Sequence, residues 1–158
     1  MPAQPRPADP TVRPAAPEDA GTLAQLVAGL MAEEGKTNAP PTPAQLADWL
    51  AGDAPMVEVL LAERACEALG YLAFYRAFSL FRPGPVMLVE NVYVVPQVRG
   101  TRVGRQLLAA AAGVALDRGW ERLELNVAAD NTGAEAAYAA LGFTAPGESV
   151  RRLEDAGL

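Results

Sequence analysis

Positive charge and flexible backbone are concentrated in one short stretch, VRGTRVGRQLL, which covers residues 98–108. It separates a strand-like apolar run from an alanine-rich helix, and a helix N-terminus offers unpaired N–H groups and about half a positive charge. Glycine before such a terminus allows an anion to approach the backbone closely. The stretch therefore indicates an anion site, although a purely structural turn is the commoner explanation. It matches neither the P-loop nor the dinucleotide fingerprint. Its cationic and glycine residues are Arg99, Gly100, Arg102, Gly104 and Arg105.

Acid–base chemistry in this chain must use carboxylates, tyrosine hydroxyls, backbone amides or a cofactor. No histidine occurs among the 158 residues, so the commonest general base and metal ligand is missing. The single cysteine, Cys66, excludes an internal disulfide and a thiolate metal cluster. Ser-His-Asp, Cys-His and His-metal chemistry are thereby excluded.

The elements that must position these groups follow in the order β α α β β β α β α β β. A run of antiparallel strands followed by a β-α-β unit predicts a mixed α+β sheet with helices on both faces. The clearest helix runs from about Val103 to Arg118, where apolar residues recur on one face. Strands are predicted at 11–15, 56–63, 70–78, 86–95 and 121–127, with further strands from Phe143 and at 149–153, and the other helices follow Pro17, Thr42 and Asn131.

Composition bounds the class of protein. Half of the residues (51%) are hydrophobic, which is enough for a sizeable core, and no apolar run approaches the roughly 20 residues that span a bilayer. The proline-rich residues 1–10 predict a disordered lead-in, and residues 11–158 predict a single domain. A net charge of −6 argues against nucleic acid as the main partner. Together these features predict a soluble cytoplasmic protein.

Two motifs, VYVVPQVRGTRVGRQLL and NTGAEAAYAALGF, resemble those of the GNAT superfamily of N-acetyltransferases. Gln97 and Gly100 match the family pattern Gln/Arg-x-x-Gly-x-Gly/Ala, and the resemblance covers roughly Val12 to Phe143. Arg102 departs from the pattern, because the family usually has glycine or alanine there, and the pyrophosphate contact at that position stays open. The second pattern, Asn-x-x-Ala-x-x-x-Tyr-x-x-x-Gly-Phe, is matched at every spacing by Asn131, Ala134, Tyr138, Gly142 and Phe143.

This resemblance implies a three-layer α+β fold with a mixed, mostly antiparallel sheet of about six or seven strands, splayed at a central parallel pair. It implies acetyl-CoA as co-substrate and no metal. Val94 N–H is the expected oxyanion donor, which requires the strand to splay, as a bulge near Tyr93 would allow. The residues implied to hold acetyl-CoA are Val92, Tyr93, Val94, Gln97, Val98, Arg99, Gly100, Thr101, Arg102, Val103, Gly104, Arg105, Asn131 and Ala134.

The resemblance also implies roles in the reaction, each with a plainer alternative. Tyr138 is implied as the general acid for the leaving thiolate, or it is a core tyrosine on a helix face. Asn131 hydrogen-bonds the pantetheine arm, caps the last helix, or does both. Glu90 binds or deprotonates the amine, or it is a surface charge on an apolar strand. The residues expected around the acceptor are Glu33, Glu34, Glu90, Glu124 and Asn126.

The acceptor stays open at this stage. The run VENVYVV is similar to the strand of the diamine and polyamine acetyltransferase branch, with Glu90 and Asn91 at its Glu-Asp pair. A small amine, with a diamine as one candidate, is therefore the expected acceptor, while a protein N-terminus, a lysine and an antibiotic are the alternatives. A non-catalytic acyl-CoA-binding module and, more weakly, a nucleotide-binding α/β protein are the rival functions. No nucleic acid or membrane partner is expected, and a homodimer is left open.

Overall fold

The computed structural model describes residues 9–81, 83–128 and 130–145. The chain divides into two compact units, Met1–Leu125 and Asn126–Leu158. In chain order the elements are β1 Thr11–Pro14, α1 Ala20–Glu33, α2 Pro43–Leu50, β2 Glu58–Arg64, β3 Glu67–Ser79, β4 Gly84–Val94, α3 Val103–Asp117, β5 Arg122–Leu125 and α4 Thr132–Ala140, with short 3-10 turns at Pro17–Asp19 and Pro96–Val98.

Strands β1 to β5 form one sheet in their chain order. The first four strands pair antiparallel, whereas β4 and β5, which α3 connects, pair in parallel. The α+β class and the mostly antiparallel sheet are therefore confirmed. Phe143 begins no strand in residues 143–145, because its N–H closes the end of α4 by donating to the Tyr138 carbonyl at 3.1 Å. The strand predicted at 149–153 lies outside the described residues.

The sheet of the first unit is covered on both faces. On one face α1 and α2 pack against Leu61 and Tyr71 in a cluster that also contains Leu23 and Leu46. On the other face lies α3, whose predicted apolar stripe is confirmed because all five of its residues are buried: Val103, Leu107, Leu108, Ala111 and Ala115. Because cross-strand partners share a face, Leu60 and Leu72 of the central strands are buried on the α3 side.

Local sequence signals account for most element boundaries. Thr42 caps α2 as predicted, because its hydroxyl accepts from Gln45 N–H at 3.2 Å. The β2–β3 hairpin forms without Asn-Gly, since Ala65 and Cys66 adopt φ of 48° and 66° in its two-residue turn. Gly119 follows α3 with φ of 68°, a left-handed conformation that ends the helix.

The beginning of α1 is held by an ion-pair network that makes stability depend on pH. Arg13 donates to Asp19 at 2.8 Å and to Glu63 at 2.8 Å, which joins β1, the first helical turn and β2. The hydrogen bond from Arg13 holds the pKa of Asp19 below its ordinary value of 3.8. A lowered carboxyl pKa contributes stability above the unfolded-state value, and this is lost as pH falls through the folded-state value.

We therefore expect Asp19→Asn to lower the free energy of unfolding by about 1 kcal/mol near neutral pH, as for a network of ion pairs near the surface. The difference from the unmodified protein should shrink as pH falls below about 4. Urea unfolding along a pH series measures it, with Asp48→Asn as the control, since Asp48 is exposed and has no ion pair within the described part of the chain. A difference that stays constant down to about pH 2 would contradict the role of Asp19.

Candidate active site

The turn between β4 and α3 has the backbone geometry of an anion site. Gly100 adopts φ of 74°, a left-handed conformation that favours glycine, and Thr101 Oγ1 closes the turn by donating to the Val98 carbonyl at 2.6 Å. The hydrogen-bond ladder of α3 begins with Gln106 N–H donating to the Arg102 carbonyl at 2.9 Å. The N–H groups of residues 103–105 therefore precede the ladder and face the N-terminal end of the helix.

Two of the three arginines in this turn keep their charge uncompensated. Arg102 and Arg105 are exposed and form no ion pair with any described residue. The family's usual glycine or alanine at position 102 is not required by the backbone here, because Arg102 has φ of −81° and ψ of −6° in the ordinary helical region. The guanidinium is therefore accommodated without strain and adds positive charge to the helix end.

Arg99, the third arginine, is tied to the end of α1. Its Nη2 lies 2.6 and 2.7 Å from the two carboxylate oxygens of Glu33. Its Nε donates to the Val94 carbonyl at 2.9 Å, and the guanidinium lies 5.7 Å from the centroid of the Tyr93 ring. Two residues predicted for different ligands, Arg99 for acetyl-CoA and Glu33 for the acceptor, thus neutralise each other in this structure.

A β-bulge interrupts β4 at Glu90. Asn91 pairs with Ala73 and Val89 pairs with Phe74, so Glu90 is the extra residue on β4. The bulge thus lies three positions before Tyr93, near which it was predicted. The difference arises because a bulge is set by the register between β3 and β4, for which the chain carries no local signal.

Beyond the bulge, β4 presents an unpaired edge. The parallel pairing with β5 covers only Val86–Val89, and β3 is the sole strand partner of Glu90–Val94 among the described residues. Val95 N–H donates across to the Leu69 carbonyl of the β3 side at 2.9 Å. Because backbone groups alternate along a strand, Val94 and Val92 direct their N–H groups to the opposite, unpaired edge. The Arg99 contact with the Val94 carbonyl agrees with that direction.

The bulge also decides which side chains share a face. Asn91 pairs with Ala73, and Tyr93 pairs with Tyr71. Ala73, Tyr71 and Tyr93 belong to the cluster beneath α1 and α2. Glu124 of β5 is on this same face, because it pairs with Leu88 and Leu88 pairs with Tyr75, two positions from Ala73 along β3.

The predicted acceptor residues differ in how far they are engaged. Glu34 lies 3.6 Å from Lys36, and Glu124 accepts from Arg122 at 2.5 Å. Glu90 is exposed, with no ion pair in residues 9–81, 83–128 and 130–145. Asn126 is also exposed and begins the second unit. Glu90 is therefore the predicted acceptor carboxylate that is most available for a ligand.

Tyr71 is not among the predicted site residues. This tyrosine of β3 is 1% exposed, its ring centroid lies 6.2 Å from that of Tyr93, and its hydroxyl has no hydrogen-bond partner among the described residues. Burial, followed by the charges of Glu34 and Glu90, raises the pKa of its phenol. A tyrosine in an otherwise apolar strand carries no sequence signal that separates it from core packing.

The second unit carries the other predicted residues on or next to α4. Asn131 caps the helix, since its Oδ1 accepts from Ala134 N–H at 3.2 Å, which leaves its side-chain NH₂ as a donor for another group. Tyr138 is half-buried, and its ring meets Phe143 edge to face with 5.6 Å between the centroids. Burial raises the pKa of Tyr138, so this hydroxyl stays protonated at neutral pH.

Two further observations concern membrane-spanning helices and metal ligands. Within the described residues, no helix is long and apolar enough to cross a bilayer. That same part of the chain brings together no group of three His, Cys, Asp or Glu side chains that could bind a metal ion.

Comparison with known proteins identifies the family. Residues 23–143 match the Acetyltransferase (GNAT) family, and the chain belongs to it. Thialysine N-epsilon-acetyltransferase of Bos taurus is 30% identical over 122 residues, 65% of this chain and 71% of that protein. Aminoglycoside N(6')-acetyltransferase type 1 of Stenotrophomonas maltophilia is 33% identical over 149 residues, 85% of this chain and 86% of that protein. The protein is therefore an acetyltransferase, as the motifs indicate.

The fold agrees with this assignment. The structure of an aminoglycoside N-acetyltransferase in complex with CoA superposes with a TM-score of 0.79 at 21% identity, covering 96% of this chain and 99% of that one.

Proposed function

We propose that the protein transfers an acetyl group from acetyl-CoA to a primary amine of a small molecule, by direct attack of the amine in a ternary complex. The observation that carries this proposal is the unpaired edge of β4, which leads into the positively charged N-terminus of α3. Its relatives are named for the acetylation of thialysine and of aminoglycosides, and both names denote amine acceptors.

The N-terminus of α3 fits the pyrophosphate of acetyl-CoA. The N–H groups of residues 104 and 105 and the left-handed turn at Gly100 offer donors that a phosphate can approach, whereas Val103 N–H donates to Thr101 Oγ1 at 3.5 Å. Arg102 and Arg105 add charge that no other described side chain neutralises. We assign these residues to the pyrophosphate, whereas Arg99 keeps Glu33 and the end of β4 in place.

The unpaired edge of β4 fits the pantetheine arm and the thioester. When bound, acetyl-CoA supplies the acetyl group in activated form. Val94 N–H points to the edge that β5 leaves free, and we assign it to donate a hydrogen bond to the carbonyl oxygen as negative charge develops there. Val92 N–H points the same way, two residues earlier, and we assign it to the pantetheine arm.

Two side chains handle protons in this proposal. Glu90 receives the proton that the attacking amine gives up, and this role is supported by its position at the bulge where the unpaired edge of β4 begins. Tyr138 donates its hydroxyl hydrogen bond to the leaving thiolate. A phenol with a raised pKa is a weak acid toward a thiolate whose conjugate acid has a pKa of about 8.5, so its contribution lies in stabilising developing charge.

A panel of acceptors tests the activity directly. The purified protein would be mixed with acetyl-CoA and with a diamine, thialysine, an aminoglycoside or a peptide with a free N-terminus. Release of CoA is followed with a thiol reagent, and mass spectrometry identifies the acetylated product. Acetylation of a small amine above the background of hydrolysis is the expected result. If every amine leaves CoA release at that background while acetyl-CoA still binds, the protein is a binding module. Acetylation confined to the peptide would transfer the function to protein substrates.

We expect Glu90→Gln to lower turnover about 10- to 100-fold near neutral pH, with the acetyl-CoA Michaelis constant nearly unchanged. Turnover should recover as pH rises toward the amine's own pKa of about 10.4, because a neutral amine needs no base. Steady-state kinetics along a pH series measure both parameters. Glu67→Gln is the control, because Glu67 is exposed at the far end of β3 and has no ion pair in the described chain. A rise in the acceptor Michaelis constant at every pH would instead make Glu90 a cation-binding residue, and unaltered kinetics would remove it from the site.

A further inference from the structure

The hydroxyl of Tyr71 is a buried polar group that the fold alone does not explain. Tyr71 is 1% exposed and its hydroxyl lacks a partner among the described residues, whereas a buried hydroxyl without a hydrogen bond costs about 1–3 kcal/mol. Phenylalanine would fill the same space in the cluster beneath α1 without that cost. The position of the hydroxyl therefore points to a partner other than these protein groups.

The surroundings of Tyr71 place it beside the bulge. Tyr71 pairs with Tyr93, and the next position on the same face of β3, Ala73, pairs with Asn91 next to Glu90. Tyr93 itself packs against α1, since a Cβ added to Gly29 would lie 2.6 Å from its hydroxyl. Tyr71 thus lies on β3 in the cluster beneath α1, two positions along the same face from Ala73, whose partner Asn91 adjoins the bulge.

The charged groups that act on this hydroxyl come from two elements. Glu34 follows α1, and Glu90 lies on β4. Burial makes the largest contribution to the raised pKa of Tyr71, and the charges of Glu34 and Glu90 come next, followed by Tyr93 of β4. With a raised pKa the phenol remains protonated across the working range and serves as a hydrogen-bond donor rather than as a base. Both neighbouring carboxylates are acceptors only.

We propose that Tyr71 is a positioning residue, which holds the water molecule that carries the acceptor's proton to Glu90. Tyr71 O–H donates to the water oxygen, and the water donates one hydrogen to Glu90 and the other to Glu34. The remaining lone pair of the water faces the amine. Buried waters have two to four polar partners, and this arrangement supplies them. The inference rests on the proposed function of the same site.

The proton balance is complete within these groups. As the amine nitrogen bonds to the acetyl carbon, its N–H proton passes to the water oxygen, and the water gives one of its own protons to the Glu90 carboxylate. The water is regenerated, Glu90 becomes neutral until solvent removes its proton, and Tyr71 keeps its own proton throughout. Glu34 accepts the second hydrogen of the water and so fixes its orientation.

The test is Tyr71→Phe on an amine that the unmodified protein has been shown to acetylate. Turnover near neutral pH should fall about tenfold, which is part of what a general base contributes, while the acetyl-CoA Michaelis constant stays unchanged. The loss should disappear toward the amine's pKa of about 10.4. Thermal stability should be equal or higher, since a buried hydroxyl without a protein partner is removed. Tyr75→Phe is the matched control, because Tyr75 is on the same strand and face but partly exposed.

Full turnover in Tyr71→Phe, or a loss that is the same at every pH, would overturn the proposal. If the variant is unstable, a high-resolution crystal structure of the unmodified protein decides the matter instead. A water within about 3 Å of both the Tyr71 hydroxyl and the Glu90 carboxylate supports the inference, and its absence there overturns it. If no amine is acetylated at all, the proposed function is wrong. The crystal structure then still shows whether the water site exists.

Discussion

Tyr138→Phe is expected to lower turnover by about two orders of magnitude and to leave the acetyl-CoA Michaelis constant nearly unchanged. The substitution removes only the hydroxyl, and a phenylalanine ring keeps the edge-to-face contact with Phe143. The loss should therefore fall on the transition state, where negative charge develops on the sulfur, and not on ground-state binding. Steady-state kinetics together with thermal unfolding measure the two effects separately.

Tyr138→Phe also separates the enzyme from its main rival. A non-catalytic acyl-CoA-binding module does not need an acid on α4. If the protein were such a module, Tyr138→Phe would bind acetyl-CoA as before, and neither it nor the unmodified protein would transfer acetyl groups. Tyr75→Phe serves as the control for loss of a tyrosine hydroxyl. If turnover equals that of the unmodified enzyme, Tyr138 has only a packing role, and water protonates the leaving thiolate. A larger change in the Michaelis constant than in turnover would make it a binding residue.

Gly104→Asp is expected to weaken CoA binding at least tenfold, which corresponds to about 1.4 kcal/mol, and to raise the stability of the fold slightly. Gly104 is in the first turn of α3, where a carboxylate interacts favourably with the helix dipole and stabilises the helix by about 0.3–1 kcal/mol. The same carboxylate would occupy the place of a phosphate and repel the others. Stability and affinity should thus change in opposite directions, which a general folding defect cannot produce.

Gly104→Ala is the matched control for this substitution. An added Cβ would meet only the Val94 Cγ2 atom, at 3.7 Å, which is an ordinary van der Waals contact. Alanine should therefore keep most of the CoA affinity, and calorimetric titration of both variants compares them directly. If Gly104→Asp binds CoA as tightly as the unmodified protein, the pyrophosphate does not bind at this turn. If both variants lose CoA affinity equally, the effect is steric and charge has no role.

Much of the candidate site was predictable because it depends on residues that are close in the chain. The left-handed turn at Gly100, the start of α3 and the Asn131 cap each follow from residue types within a few positions of one another. The apolar stripe of α3 was predictable for the same reason, since a helical period places its members on one face. The family motifs are built from these same local features, and residues 23–143 carry enough of them to identify the acetyltransferase class.

Contacts between distant segments lay outside such a prediction. The ion pair between Arg99 and Glu33 joins residues that are 66 positions apart, so nothing near Arg99 in the chain indicates that its charge is compensated. The bulge at Glu90 depends on how β3 and β4 align, and the unpaired edge depends on where β5 stops. These features follow from strand register, which is set by burial of whole faces and not by any single residue.

The class of fold, the glycine-containing turn before α3 and the identity of the acidic and phenolic groups were predictable from the sequence, because residue types and short-range spacing are enough to specify them. Three features became visible only in the folded structure: Glu90 lies at a bulge, Val94 N–H points to an open edge, and the Tyr71 hydroxyl is buried where the charges of Glu34 and Glu90 act on it. The physical reason is that helix and turn formation are governed by neighbours in the chain. The placement of a side chain from one strand against another is governed by packing among segments that meet only in the folded protein.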